Sequence, residues 1–65
     1  MTFIEVTDLF TGYKMLVRAD LICKVSEVEL TDHGIVTCLD FNDEQYEYVS
    51  ESLLKIKAQL KAVNK

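Results

Sequence analysis

Hydrophobic and polar residues alternate along most of this chain, and near its end the repeat lengthens to that of a helix. From Thr2 to Thr7, Ile4 and Val6 alternate with Phe3, Glu5 and Thr7, the period of a strand with one buried face. Tyr13 to Arg18 reads as a second strand with Tyr13, Met15 and Val17 on one face. A third runs from Leu21 to Leu30. Ile22 and Val25 are three apart, so strict alternation cannot bury both, and a β-bulge between them is expected; Glu27 and Glu29 then face away from Val28 and Leu30. Ile35 to Phe41 is a fourth strand, with Ile35, Thr37, Leu39 and Phe41 on one face and Val36, Cys38 and Asp40 on the other. Gln45 to Val49 is the fifth.

The intervening stretches carry turn chemistry. Asp8 to Gly12 ends on a glycine free to take positive φ. Ala19-Asp20 is a short break, and Thr31-Asp32-His33-Gly34 is a turn cluster. Asn42-Asp43-Glu44 lacks the glycine that two-residue hairpin turns require, which predicts a longer loop.

After Val49 the period becomes 3.6. Ser50 or Ser52 can cap a helix N-terminus, and Glu51 suits its first turn. Leu53, Ile56, Leu60 and Val63 share one face, and Lys57, Lys61 and Lys65 recur at a spacing of four on the other side. Leu54 stands about 100° from Leu53 at 3.6 residues per turn, near Ala58 and Ala62. It is either an isolated exposed leucine, which is ordinary, or a contact with another subunit.

The pattern predicts an α+β fold, mainly β: a small bent antiparallel sheet, or a barrel-like one, of about five strands with one C-terminal helix. It forms a single domain over residues 1–65, with strands in roughly 2–49 and the helix in roughly 51–63. The expected core is Ile4, Val6, Met15, Val17, Ile22, Val25, Ile35, Leu39, Leu53, Ile56 and Leu60.

Length changes that picture, because 65 residues bury only about 60% of the unfolded surface and small domains need a further staple. Cys23 and Cys38 have no companion ligands at zinc spacing and are read as small buried hydrophobes on strands, which leaves oligomerisation as the staple. The chain is 49% hydrophobic without proline, a globular composition. No apolar run approaches the ~20 residues of a membrane span. The N-terminus shows no basic leader or apolar core, so a cytoplasmic protein is expected.

The net charge of −4 disfavours nucleic acid as the main partner. From Glu27 to Glu51 the chain has eight acids and no Lys or Arg, whereas Lys55, Lys57, Lys61 and Lys65 follow without an acid. Cations near a helix C-terminus suit its dipole; the alternative is a basic stripe offered to a partner.

Catalytic patterns are missing. His33 lies in a turn with no motif promising a nucleophile and an orienting acid, the serines sit in no nucleophile elbow, and there is no glycine-rich phosphate loop. Asp40, Asp43 and Glu44 lack the glycine-centred loop of a calcium site. Tyr46 and Tyr48 could stack on bases, but Glu44 and Glu47 beside them favour cross-strand packing. No enzyme activity, cofactor, metal or small-molecule substrate is expected.

The element order resembles the FlbD-like small bacterial proteins of flagellar and swarming contexts. The matching stretches are Ile4-Glu5-Val6-Thr7 with the turn to Gly12, Asp20-Leu21-Ile22 with Val25, the alternation from Ile35 to Leu39, and Tyr48-Val49-Ser50-Glu51-Ser52 leading into Leu53 and Ile56. The likeness covers residues 3 to 60. The latter half also resembles the end of LytTR-type DNA-binding domains. Relatives carry a Pro-Asp turn after the third strand and Asn-Gly in the hairpin, where this chain has Leu30-Thr31-Asp32-His33 and Asn42-Asp43-Glu44. The resemblance implies the fold and transfers no functional residue.

The expected function is a non-enzymatic protein-interaction or regulatory module that associates with itself or with another protein, away from membranes. Leu54, Ala58, Lys57 and Lys61 are its candidate interface. The alternatives are a nucleic-acid-binding accessory protein, or a small component of a phage- or flagellum-type assembly.

Overall fold

The computed structural model describes residues 2–63, so Lys65 of the lysine series and the extreme ends of the expected 1–65 domain lie outside the described residues. Strands β1 (Phe3–Thr7), β2 (Lys14–Arg18), β3 (Ile22–Leu30), β4 (Gly34–Phe41) and β5 (Tyr46–Val49) precede one helix, α1 (Leu53–Val63). A 3₁₀ turn at Ala19–Leu21 fills the expected break between β2 and β3.

The five strands form two antiparallel sheets instead of one, β1-β2 and β3-β4-β5. In the first, Ile4 faces Val17 and Val6 faces Met15 across the ladder, so the core side is apolar. Tyr13, expected on that face, precedes the strand and is exposed. In the second sheet β3 slips between Ile22 and Lys24. This is the predicted bulge: Cys23 is the extra residue, and Ile22 and Val25 both pack against the core. The bulge also turns Cys23 outward, so only Cys38 of the two free cysteines is buried.

The sheets meet at one seam. Asp8 bridges Val49, the Leu9 amide donates to the Tyr48 carbonyl at 3.0 Å, and the Ser50 amide donates to the Thr7 carbonyl at 3.0 Å. Connected this way the strands run β2-β1-β5-β4-β3, with β2 and β3 as outer strands that do not pair with each other, and the barrel stays open.

Ile4, Val6, Leu39, Val49 and Ile56 form the buried cluster, and Met15, Val17, Ile22, Val25 and Leu60 pack partly buried against it. Leu53 is half-buried. Ile35 is the clear departure from the expected core, at 70% exposure. It shares the Leu39 face, but it pairs with Glu29 near the tip of the β3–β4 hairpin, beyond Thr37, the last residue opposite β5. Alternation assigned the face correctly; among the described residues none covers that face at the tip.

Both hairpins of β3-β4-β5 close with a left-handed residue, as Gly12 does at φ 78° between β1 and β2. Gly34 takes it at φ 71° and Glu44 at φ 68°. At the second turn the Glu44 amide donates to the Phe41 carbonyl at 3.3 Å and the Phe41 amide to the Gln45 carbonyl at 2.8 Å, giving the longer loop expected without an Asn-Gly pair. A non-glycine residue in this region costs roughly 1–2 kcal/mol, part of which glycine returns as chain entropy. Glu44→Gly is therefore expected to stabilise the fold by about 0.5–1 kcal/mol, read as a higher urea midpoint at constant slope. A lower midpoint would mean that the Glu44 side chain contributes more than its backbone strain.

Candidate interaction surfaces

Two outward-facing surfaces are held in place by hydrogen bonds at the periphery of the core. The first is on α1. Ser52 is the N-cap: its Oγ accepts from the Lys55 amide at 3.1 Å and its carbonyl from the Ile56 amide at 3.0 Å. Glu51, just before the cap, reaches back to β1, where its carboxylate accepts from the Thr7 amide and the Thr7 hydroxyl, both at 2.8 Å. Burial pushes the Glu51 carboxyl up, but the Thr7 bonds, its own amide and the Lys55 charge outweigh it and hold the group below the usual range. One helical face further on, the Gln59 side-chain amide pairs with the Glu5 backbone like a fragment of strand, accepting at 3.2 Å and donating at 3.0 Å. The backbone groups of Glu5 and Thr7 that point away from β2 are thus taken up by Gln59, Glu51 and Ser50.

These clamps fix the rotation of α1. Ile56 enters the core, and Leu54, Lys57, Ala58 and Lys61 all lie on its exposed side. Their spacing of three and four makes them one stripe. Leu54 is 74% exposed, and α1 carries three lysines and no acid among its described residues. The structure therefore brings the four predicted interface residues together. A groove of about 280 Å³ lined by Val25, Leu53, Lys57 and Leu60 runs along the other flank of the helix.

The second surface covers the outside of β3-β4-β5. Tyr46 and Tyr48 project on the face opposite the core, and Tyr48 pairs with Cys38 and Tyr46 with Asp40. Their rings meet edge-on at 5.3 Å. Phe10 continues the row at 6.0 Å from Tyr48, and His33 ends it at 5.4 Å from Phe10. Phe10 is 61% and Tyr46 56% exposed.

The row depends on a local turn. Asp8 Oδ2 accepts from the Thr11 amide at 3.1 Å and the Thr11 hydroxyl at 2.7 Å, and the Gly12 amide donates to the Asp8 carbonyl at 3.0 Å. Together with the Leu9–Tyr48 backbone bond, this turn lays Phe10 over Tyr48. Burial pushes the Cys38 thiol up, and Asp40 adds to that against an opposing Lys24. Burial also raises Tyr48, assisted by Tyr46, Cys38 and Asp40. Both groups stay neutral near pH 7, so the middle of the row carries no charge. Acids gather at its ends: Asp40 opposite Tyr46, Asp43 and Glu44 in the turn before it, and Asp32 next to His33 in the chain.

No family model, curated protein or solved structure matches this chain.

Sequence periodicity placed Tyr46 and Tyr48 on one face but did not find the row, because Phe10 and His33 come from turns with no period. The available signal was Asp8 followed three residues later by Thr11, a side-chain turn that fixes where residue 10 points. Among the described residues no group of three or more His, Cys, Asp or Glu side chains is placed to hold a metal ion, and no described helix is long and apolar enough to cross a membrane.

Proposed function

We propose that the chain is a non-catalytic interaction module that assembles with copies of itself. The observation carrying this reading is the amount of apolar side chain left outside so small a core: Leu54 on α1, and Phe10 and Tyr46 on the sheet, stand exposed, while five residues make up the buried cluster. Exposed apolar patches of this kind mark interaction sites, and a second copy supplies the burial that 65 residues cannot supply alone. Membership in a phage- or flagellum-type assembly draws on the same surfaces.

The nucleic-acid alternative gains less support. Its stacking residues, Tyr46 and Tyr48, are on the outer sheet face beside Asp40, while Lys55, Lys57 and Lys61 are on α1. A single-strand site needs aromatic platforms and cations in one groove.

Light scattering across a hundredfold range of protein concentration tests the proposal. A mass at least twice that of the 7.5 kDa chain that falls on dilution is expected. A strict monomer throughout would remove the self-association reading.

A further inference from the structure

Accepting self-association, we infer that the contact is head-to-tail: the Leu54–Ala58 stripe on α1 of one copy seats on the Phe10–Tyr48–Tyr46 row of the next. The two surfaces cannot meet within one chain. α1 puts Ile56 into the core on the inner side of the sheets, whereas the tyrosines project from the outer face of β3-β4-β5.

Charge selects the pairing. The helix stripe presents Leu54 and Ala58 flanked by Lys57 and Lys61, with no acid on the helix among its described residues. The aromatic row is bounded by Asp40, Asp43 and Glu44 at one end and Asp32 at the other, and the cation recorded against these acids is Lys24, at a loose 3.8 Å from Asp40. Stripe on stripe would oppose lysines, and row on row would oppose carboxylates; both like-charge arrangements are unfavourable. Stripe on row opposes lysine to carboxylate around an apolar centre, the anatomy of a specific interface.

Dimensions agree. Leu54 to Lys61 spans about 10 Å at 1.5 Å per residue. Successive ring centroids in the row lie 5.3 and 6.0 Å apart, so two steps match the stripe. Leu54 is the knob, and the edge-on rings of Tyr46, Tyr48 and Phe10 are the floor that receives it. A contact joining two different patches is heterologous, so each copy offers one of each, and the assembly grows into a ring or a filament instead of stopping at a two-fold dimer.

The test uses two variants on the full chain, each removing one half of the contact at an exposed residue: Leu54→Asp on the helix and Tyr46→Lys on the sheet. Each alone is expected to weaken assembly at least 30-fold, the range of a central interface residue, and to be monomeric by light scattering where the unaltered chain assembles. Mixed in equal amounts they are expected to form a 1:1 dimer and nothing larger, because one copy retains an intact row and the other an intact stripe. Far-UV circular dichroism checks folding, and Ala58→Asp with Phe10→Lys is the second pair if either first variant unfolds. Three results overturn the inference: single variants that still assemble like the unaltered chain, a mixture that stays monomeric, or a mixture that grows beyond two copies. In all three the unaltered chain still self-associates, so the broader proposal survives. A monomeric unaltered chain removes both.

Discussion

Ile56→Ala is expected to cost about 2–5 kcal/mol, a large part of the protein's stability. Ile56 is fully buried and is the one buried residue of α1 among those described. Its side chain joins the helix to the cluster of Ile4, Val6, Leu39 and Val49, drawn from both sheets. Truncating a buried isoleucine to alanine costs about 2–5 kcal/mol through lost transfer energy and the cavity left behind. A chain of 65 residues has a total stability of roughly 3–10 kcal/mol, so the cost consumes much or all of it. The matched control is Leu54→Ala, two positions away on the same helix. At 74% exposure, and at protein concentrations low enough to keep the chain unassembled, it should change stability by no more than about 0.5 kcal/mol. Urea titration followed by circular dichroism separates the two. A loss below about 1 kcal/mol for Ile56→Ala would mean that α1 is not anchored through this residue, and the fixed rotation that presents the Leu54 stripe would lose its basis.

That contrast bears on the proposed assembly, because the two helix faces do different work. The inner face anchors α1, and the outer one is left free of any intramolecular role. The Glu51–Thr7 and Gln59–Glu5 bonds add orientation to what Ile56 supplies in burial. A stripe on a rigidly held helix enters a contact with little further ordering cost. The aromatic row is held similarly, through ring-edge packing and the Asp8–Thr11 turn.

Much of this arrangement was legible in the residue pattern, and the exceptions share a cause. Period-two alternation located the strands because each has one face on the core; it also exposed the bulge, since Ile22 and Val25 could not otherwise both pack inward. The change to period 3.6 located α1, and its caps follow from short-range chemistry that Ser52 displays in sequence. Leu54 stood out because it fell off the main stripe. What the pattern could not supply is anything set by distance along the chain. Ile35 has the right face and is exposed because the hairpin outruns its cover. The division into two sheets follows from pairing between residues 7–9 and 48–50, which no local signal announces. Phe10 and His33 join Tyr48 only after that seam has formed.

The seam supports a second large prediction. Ser50→Pro is expected to destabilise the protein by about 1–3 kcal/mol, whereas Ser50→Ala is expected to change it by less than about 0.5 kcal/mol. The Ser50 side chain is exposed and its Oγ makes no hydrogen bond to another described residue, so alanine removes little. Its amide, however, donates to the Thr7 carbonyl at 3.0 Å. That bond and the Leu9–Tyr48 bond, which together make the Asp8–Val49 bridge, are the backbone links between β1-β2 and β3-β4-β5 among the described residues. Proline deletes the donor and leaves the Thr7 carbonyl without its partner beside buried Val6 and Val49. It also crowds the turn that delivers Glu51 to the Thr7 amide, so a second tie to β1 weakens with the first. The loss should be uneven. Amide exchange is expected to accelerate most in β1 and β2, which depend on the seam and α1 for their place, and least in the β3–β4 ladder, the longest pairing in the molecule. Equal acceleration throughout would show that the two sheets unfold as one unit and that the seam does not limit stability. Acceleration confined to residues next to Ser50 would show that α1 alone holds the sheets together.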